Sequence, residues 1–326
     1  MAWDFWVHTP ESFHQTSFLF SNRGTPYGFR HMNGYSSHTY KWVNAKGEVF
    51  YVKYTFKTDA GIKNFTAEEA NEMEKKNPYF GKQDLYDHIE SGNVASWTFF
   101  VQILPEAEGE AYKWDIFDVT KVWPHSEVPL IEVGKLVLNR NPENWFAEVE
   151  QAAFSPSNLV PGIEASNDKM LQGRLFSYPD THRHRLGRNY DQIPINNSYR
   201  SKINNYQRDG ESRVDGNSGS SVNYEPNTRG GPAPDPKFAK SQVKVAQHGG
   251  RFKYTHPNDD FAQVRVFYNK VLNETERDQL TSNIANHMRP ARKEVKLRAV
   301  EIYKKIDPDY GKRVEEKLGL KSEAKL

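Results

Sequence analysis

The 326-residue chain contains no cysteine. That removes disulfides, zinc–thiolate sites, iron–sulfur clusters and thiol nucleophiles together, and it fits a reducing compartment. Long apolar runs are lacking too, since none approaches the roughly 20 residues of a membrane-spanning helix. The opening MAWDFWVHTPES has neither the basic start nor the apolar core of a secretion signal. The expectation is a soluble protein that stays inside the cell and has no membrane partner. An excess of one charge is also missing: 44 Lys and Arg face 42 Asp and Glu, a formal net charge of +2. This argues against a dedicated nucleic-acid binder, whose affinity rests on a basic excess. RNA binding through basic and aromatic surface is a distant reading, because no recognition module occurs. Neither a Gly-x-Gly-x-x-Gly after a strand nor a Walker loop is found, which excludes a Rossmann or P-loop nucleotide site.

What the chain has is rings. Hydrophobic residues make up 37% and aromatic residues 13%, as 17 Tyr, 19 Phe and 7 Trp, so much of any core is built from large flat side chains. Such a chain does not stay disordered along its whole length. Its length allows one large domain or two or three smaller ones.

Alternation over HTYKWVNAKGEVFYVKYTFK, His38 to Lys57, predicts a β-hairpin turning at Asn44 to Gly47. Trp97, Phe99, Val101 and Ile103 predict a third strand ended by Pro105, and Ile131 to Arg140 a fourth. Thr66 with Glu69 has the capping-box spacing of a helix start. Four strands with aromatic faces imply an antiparallel sheet covered on each side or closed into a barrel. After Pro142 the composition turns to Asn, Pro, Gly, Arg and Ser. Residues 208–237 read as a surface loop or linker, and so long an irregular stretch suits a segment that wraps a partner subunit. From Asp259 helical spacing returns. Phe261, Val264, Phe267, Tyr268 and Val271 share one face, and Asn273 with Glu276 caps a helix carrying Leu280, Ile284 and Met288. Val295, Ala299 and Ile302 mark a third helix, and Asp307-Pro308 opens a fourth that stops at Gly319. The expected organisation is α+β: a sheet domain over 1–141, an irregular segment over 142–250 and a helical domain over 251–326.

The most unusual string is RLFSYPDTHRHRLG, residues 174–187. If 169–178 is a helix ended by Pro179, Arg174 lies one turn from Tyr178 on the same face. A guanidinium beside a phenol favours the phenolate, a hard anionic ligand suited to ferric iron. Read from these residues alone, a packed tyrosine beside an arginine is the commoner meaning of such a pair. His182, Arg183, His184 and Arg185 form an alternating basic cluster that suits carboxylates or phosphates, or simply a solvated loop.

The segments WDFWVHTPESFHQTSFLFSNRGTPYGFRHMNGYSSHTYK, KVWPHSEVPLIEVGKLVLNRNPENWFAEVEQAAFSPSNLVPGIEASNDKMLQGRLFSYPDTHRHRLG and IPINNSYRSKINNYQRDG resemble monofunctional haem catalases of the small-subunit, NADPH-binding type, and the likeness runs over nearly all of residues 1–320. The resemblance implies the second half of a catalase-like antiparallel β-barrel, a wrapping segment carrying the haem ligand, and a C-terminal helical bundle. It makes Tyr178 the iron ligand and Arg174 its charge partner, linked through Asp168 to His38. It has Arg185 reach a haem propionate, His182 lie beside the macrocycle, and Phe154 and Met170 line the proximal pocket. It further implies an NADPH groove at His14, Phe18, Ser21, Arg23, Asn33, Tyr35, Lys57, Trp123 and His125, with Arg23 and Lys57 as cations for the 2′-phosphate. Hydrogen peroxide as substrate, its decomposition to water and oxygen against oxidative stress, and a homotetramer follow by the same route.

The family also carries a distal His in a Val-His-Ala segment and a distal Asn near an Asn-Thr-Pro-Val-Phe run, and neither string occurs in this sequence. The expectation is therefore a catalase subunit lacking its N-terminal part, whose activity alone is doubtful. The alternative is a non-catalytic haem- or NADPH-binding protein that pairs with intact subunits. The terminal Ala324-Lys325-Leu326 is a conservative variant of the Ser-Lys-Leu peroxisomal address, which points to the peroxisome and otherwise to the cytoplasm.

Overall fold

The computed structural model describes residues 1–242 and 258–320. Two short helices open it, α1 (Ala2–Val7) and α2 (Phe13–Phe20), followed by strands β1 (Gly34–Tyr35), β2 (Tyr40–Val43) and β3 (Val49–Thr58). Helices α3 (Ala67–Lys76) and α4 (Phe80–Glu90) precede β4 (Ala95–Pro105), the short α5 (Glu106–Glu110), β5 (Ile131–Leu138) and β6 (Ile163–Ala165). The rest is helical: α6 (Lys169–Leu186), α7 (Ala262–Val266), α8 (Glu274–Met288), α9 (Lys293–Ile306) and α10 (Pro308–Lys317).

The strands form one antiparallel sheet in the order β5-β4-β3-β2-β6, with β1 pairing further along β3. The expected hairpin is β2–β3, in register at Tyr40↔Val52 and Trp42↔Phe50, and Gly47 supplies the positive φ of its turn at +80°. The four expected strands are present. Two short ones, β1 and β6, join them, and among the described residues no further strand closes the sheet into a barrel.

Its two faces differ in chemistry. One carries Tyr40, Trp42, Tyr54, Phe56 and Phe99, half-buried, with Phe56 and Phe99 stacked at 4.5 Å. The other buries Lys41, Tyr51, Lys53, Thr55 and Gln102; Tyr51 and Leu104 pack on Ile116, Trp123 and Val128 of the segment after α5, while Lys41 lies against Glu164 and Ser241.

The helical core follows the predicted spacing. Leu280, Ile284 and Met288 of α8, Ala299 and Ile302 of α9 and Val314 of α10 are buried together, and α7 continues as a π-helical turn over Phe267–Val271. Trp3, Val7 and Phe13 belong to the same cluster. The core thus cuts across the expected boundary at 141: the chain's first helices pack with its last ones. A joint ties sheet and helices together, because Lys121 reaches Asp260 at 2.9 Å while Val122 and Gln263 exchange two hydrogen bonds.

Both predicted capping boxes form, Thr66 with Glu69 and Asn273 with Glu276. The expected end of α6 at Pro179 does not occur, and the helix runs on to Leu186. Proline forfeits one backbone bond, but burial of His182 and the basic last turn of Arg183, His184 and Arg185 favour continuation. Gly187 then ends it at φ +101°, where a Cβ would stand 2.7 Å from the Glu211 side chain. The described part of this stretch, 142–242, is accordingly less irregular than its composition suggests.

Candidate functional site

The site begins where the sheet hands over to α6. Ser166, between β6 and α6, donates its hydroxyl to the Thr39 carbonyl, and Asp168 caps the helix by accepting from the backbone of Met170 at 2.9 Å and Leu171 at 3.0 Å. Its second oxygen meets His38 Nδ1 at 2.7 Å, and both side chains are buried. His38 is aimed inward by a tight turn in which Ser37 takes a left-handed φ of +56° and the Ser36 hydroxyl donates to the His38 carbonyl.

Along α6, Met170, Arg174, Tyr178 and His182 recur every four residues and form one slowly rotating stripe. Arg174 Nη2 donates to the Tyr178 hydroxyl at 2.7 Å, with its guanidinium carbon 4.9 Å from the ring centroid. The expected His38–Asp168 and Arg174–Tyr178 contacts are both present. The link between them is not: among the described residues no hydrogen bond or ion pair joins Asp168 to Arg174. The Asp168 oxygens are taken by the helix N-terminus and by His38, so the relay stands as two separate pairs.

The residues fit a haem on three counts. A guanidinium-held phenol is a hard oxygen donor of the kind ferric iron takes. His182 is buried between Tyr178 and Tyr190, yet its Nδ1 has no hydrogen-bond partner; burial, with Arg185 nearby, holds its imidazole below the ordinary pKa. Met170 and Phe154 are 58% and 86% exposed, apolar surface suited to covering a flat macrocycle. Arg185 departs from expectation, because its guanidinium donates to the carbonyls of Glu150 and, at 2.8 Å, Ala152. His184 is exposed while His182 is buried, so the two do not converge as a metal pair.

The residues expected to line a nucleotide groove fall into small groups. Arg23 lies over Phe18 at 5.9 Å, and its backbone N–H donates to Ser21. Asn33 donates to the Tyr35 hydroxyl at 3.0 Å and accepts from the Thr58 backbone. His125 is held below its usual pKa by burial and by the Lys57 charge, and His14 by burial, against a bond to the Thr120 backbone. Trp123 is buried in the lower core with an unpartnered indole N–H.

Sequence reasoning missed Tyr40 and Lys53. Tyr40 pairs with Ala165 of β6, three residues before Asp168. Burial raises its phenol pKa, with Arg174 opposing and Asp168 and Tyr178 adding to the rise. Its spacing of two from His38, on the same side of an extended chain, is a signal that could have found it. Lys53 is buried beneath the sheet, where among the described residues only the Ser37 and Lys121 carbonyls accept from it, and burial brings it to about 8 against the pull of Asp168 and Asp118. No periodicity marks a lysine that faces inward.

The fold and site together are an antiparallel sheet that feeds a helix bearing an arginine-held tyrosine. The catalase family model matches residues 1–231, and that of the catalase-related immune-responsive family matches residues 254–318. The chain belongs to the catalase family. A catalase of Methanosarcina barkeri is 54% identical over 98% of this chain and 63% of its own length. The peroxisomal catalase of Toxoplasma gondii is 53% identical over 99% and 65%. Among solved structures, catalase A of Saccharomyces cerevisiae superposes with a TM-score of 0.88 at 43% identity, covering 97% of this chain and 66% of that one. The chain spans about 60–65% of the length of the curated relatives it matches. Among the described residues no helix is long and apolar enough to cross a membrane.

Proposed function

We propose that this chain is the haem-bearing part of a catalase subunit, in which Tyr178 would hold the iron of a ferric haem, with hydrogen peroxide as substrate. The observation that carries the reading is the 2.7 Å bond from Arg174 to the Tyr178 hydroxyl, on a helix whose start is held by the buried His38–Asp168 pair. When bound, haem supplies the redox chemistry that turns peroxide into water and oxygen. The chain's residues position and screen. Arg174 stabilises negative charge on the phenol oxygen, while Asp168 and His38 fix the register of α6 against the sheet. Met170 and Phe154 would cover the macrocycle, His182 would present its free nitrogen to it, and the donors left on Arg185 would serve a propionate. NADPH is assigned to the groove at Phe18, Arg23, Lys57 and His125, where Arg23 and Lys57 are the cations for its 2′-phosphate.

A homotetramer belongs to the same reading, supported by the family alone. The peroxisome is supported by the name of the Toxoplasma relative, because Ala324-Lys325-Leu326 lies outside the described residues. The test is a haem titration of the purified chain, read by its Soret band and ferric electron paramagnetic resonance. Tyr178→Phe is expected to abolish the tyrosinate-ligated signal and Arg174→Leu to weaken haem retention with the fold intact. A Soret band unchanged in both variants overturns the assignment.

A further inference from the structure

The aromatic face of the sheet is not uniform. Phe56 and Phe99 are hydrocarbon rings, but Tyr40, Tyr54 and Trp42 are the ring types that give up an electron most readily, and they are contiguous. The Tyr40 and Tyr54 centroids stand 5.7 Å apart, those of Tyr54 and Trp42 6.3 Å apart, and the Trp42 indole donates to the Tyr54 hydroxyl at 2.7 Å. One end lies at the candidate haem site, where β2 pairs with β6 at Tyr40↔Ala165 just ahead of the α6 cap. The other lies at the hairpin turn: Trp42 is half-buried, and residues 44–48 that follow it are all exposed.

We propose that Tyr40, Tyr54 and Trp42 form a one-electron conduit between the haem held at Tyr178 and the hairpin end of the sheet, where small phenols are oxidised. This rests on the haem reading above. The balance closes with two partners named by class, a peroxide-oxidised haem as electron acceptor and a phenol as donor. One electron passes from Tyr40 to the haem, and Tyr54 and then Trp42 refill the vacancy in turn. A phenol at the surface refills Trp42, giving one electron to the indole and one proton to solvent and becoming a phenoxyl radical, so the three rings end as they began. The Trp42–Tyr54 hydrogen bond matters because an oxidised indole N–H becomes strongly acidic and already has the phenol oxygen in line to share its proton.

The experiment treats the haem-loaded full chain with one equivalent of a peracid, whose weak O–O bond cleaves without an acid catalyst, and freeze-quenches it for electron paramagnetic resonance. The expected result is a tryptophanyl signal, lost in Trp42→Phe and in Tyr54→Phe, with a tyrosyl signal persisting in Tyr54→Phe and lost in Tyr40→Phe. Spin-trap mapping by mass spectrometry should place the surface adduct at Trp42 and lose it in Tyr54→Phe. A chain without a Soret band sinks the haem reading and this one with it. A haem-loaded chain whose tryptophanyl signal survives Tyr54→Phe, or which gives no ring radical, overturns the conduit alone.

Discussion

An ammonium group taken out of water needs oxygen contacts in return, and Lys53 finds two long ones, 3.2 Å to the Ser37 carbonyl and 3.3 Å to that of Lys121, with the Trp123 ring 5.4 Å away. The deficit appears as a pKa brought down from 10.5 to about 8 by burial. Between pH 8 and 10.5 the unfolded chain holds this proton and the folded chain does not, so stability from this group rises with pH across that window. The gain is on the order of 3 kcal/mol at most, from 1.36 kcal/mol per pKa unit. Tyrosines whose folded pKa is raised, Tyr54 to about 12 among them, act in the opposite sense above pH 10, so the test is a difference. Measured by urea unfolding, the wild type should gain on Lys53→Met as pH climbs from 8 to 10.5. A flat difference would show that Asp168 and Asp118 already compensate the charge. Alternation puts Lys41, Lys53 and Gln102 on one face of their strands but does not show what covers it: Lys53 and Gln102 are buried under the segment carrying Lys121 and Trp123, and Lys41 against Glu164 and Ser241.

At the scale of elements, local signals were legible wherever the chain itself supplies the reason. Thr66/Glu69 and Asn273/Glu276 close both capping boxes because each needs only four consecutive residues. The sheet's third and fourth strands sit where alternation put them for the same reason. What tertiary burial decides was not legible: the passage of α6 through Pro179, the short strands β1 and β6, and the docking of α1 and α2 onto the final helices. The proximal residues emerged from family likeness, with the exception of the Arg174–Tyr178 spacing, which helix geometry gives directly. Asp168 joins these levels, because one carboxylate both starts α6 and holds His38. Asp168→Ala should lose about 1–2 kcal/mol from the cap alone, and leaving His38 unpaired adds to that loss. Asp168→Asn keeps an oxygen for the Met170 and Leu171 N–H groups and should recover most of the cap. Equal unfolding midpoints for the two variants would show that the His38 contact, not the cap, is what α6 depends on.

Taken as a whole molecule, the chain has a closed helical core and an open sheet. Strand β5 pairs only with β4 among the described residues, and Ile131, Val133, Leu136 and Val137 stand between 43% and 49% exposed on it. Sheet edges with apolar side chains invite further pairing. The candidate site has the same one-sided character: α6 supplies Tyr178 and Arg174 from one direction, and the aromatic sheet face borders it at Tyr40. The distal His and Asn segments of the family do not occur in these 326 residues. The peroxide proton must move between oxygens before the O–O bond breaks, and a positioned general acid/base for that step is worth roughly 10²- to 10⁴-fold. Neither described histidine at the candidate site takes its place, because His38 is locked on Asp168 and His182 lies against Tyr178 and Tyr190. The haem-loaded 326-residue chain should therefore evolve oxygen from hydrogen peroxide at least about 10²-fold more slowly than Saccharomyces cerevisiae catalase A at equal haem. Imidazole added to the buffer, a mobile substitute for the missing base, should recover part of the rate. A chain within tenfold of that relative, unmoved by imidazole, would mean that the proximal residues alone support the reaction and that the proton shuttle lies elsewhere in this molecule.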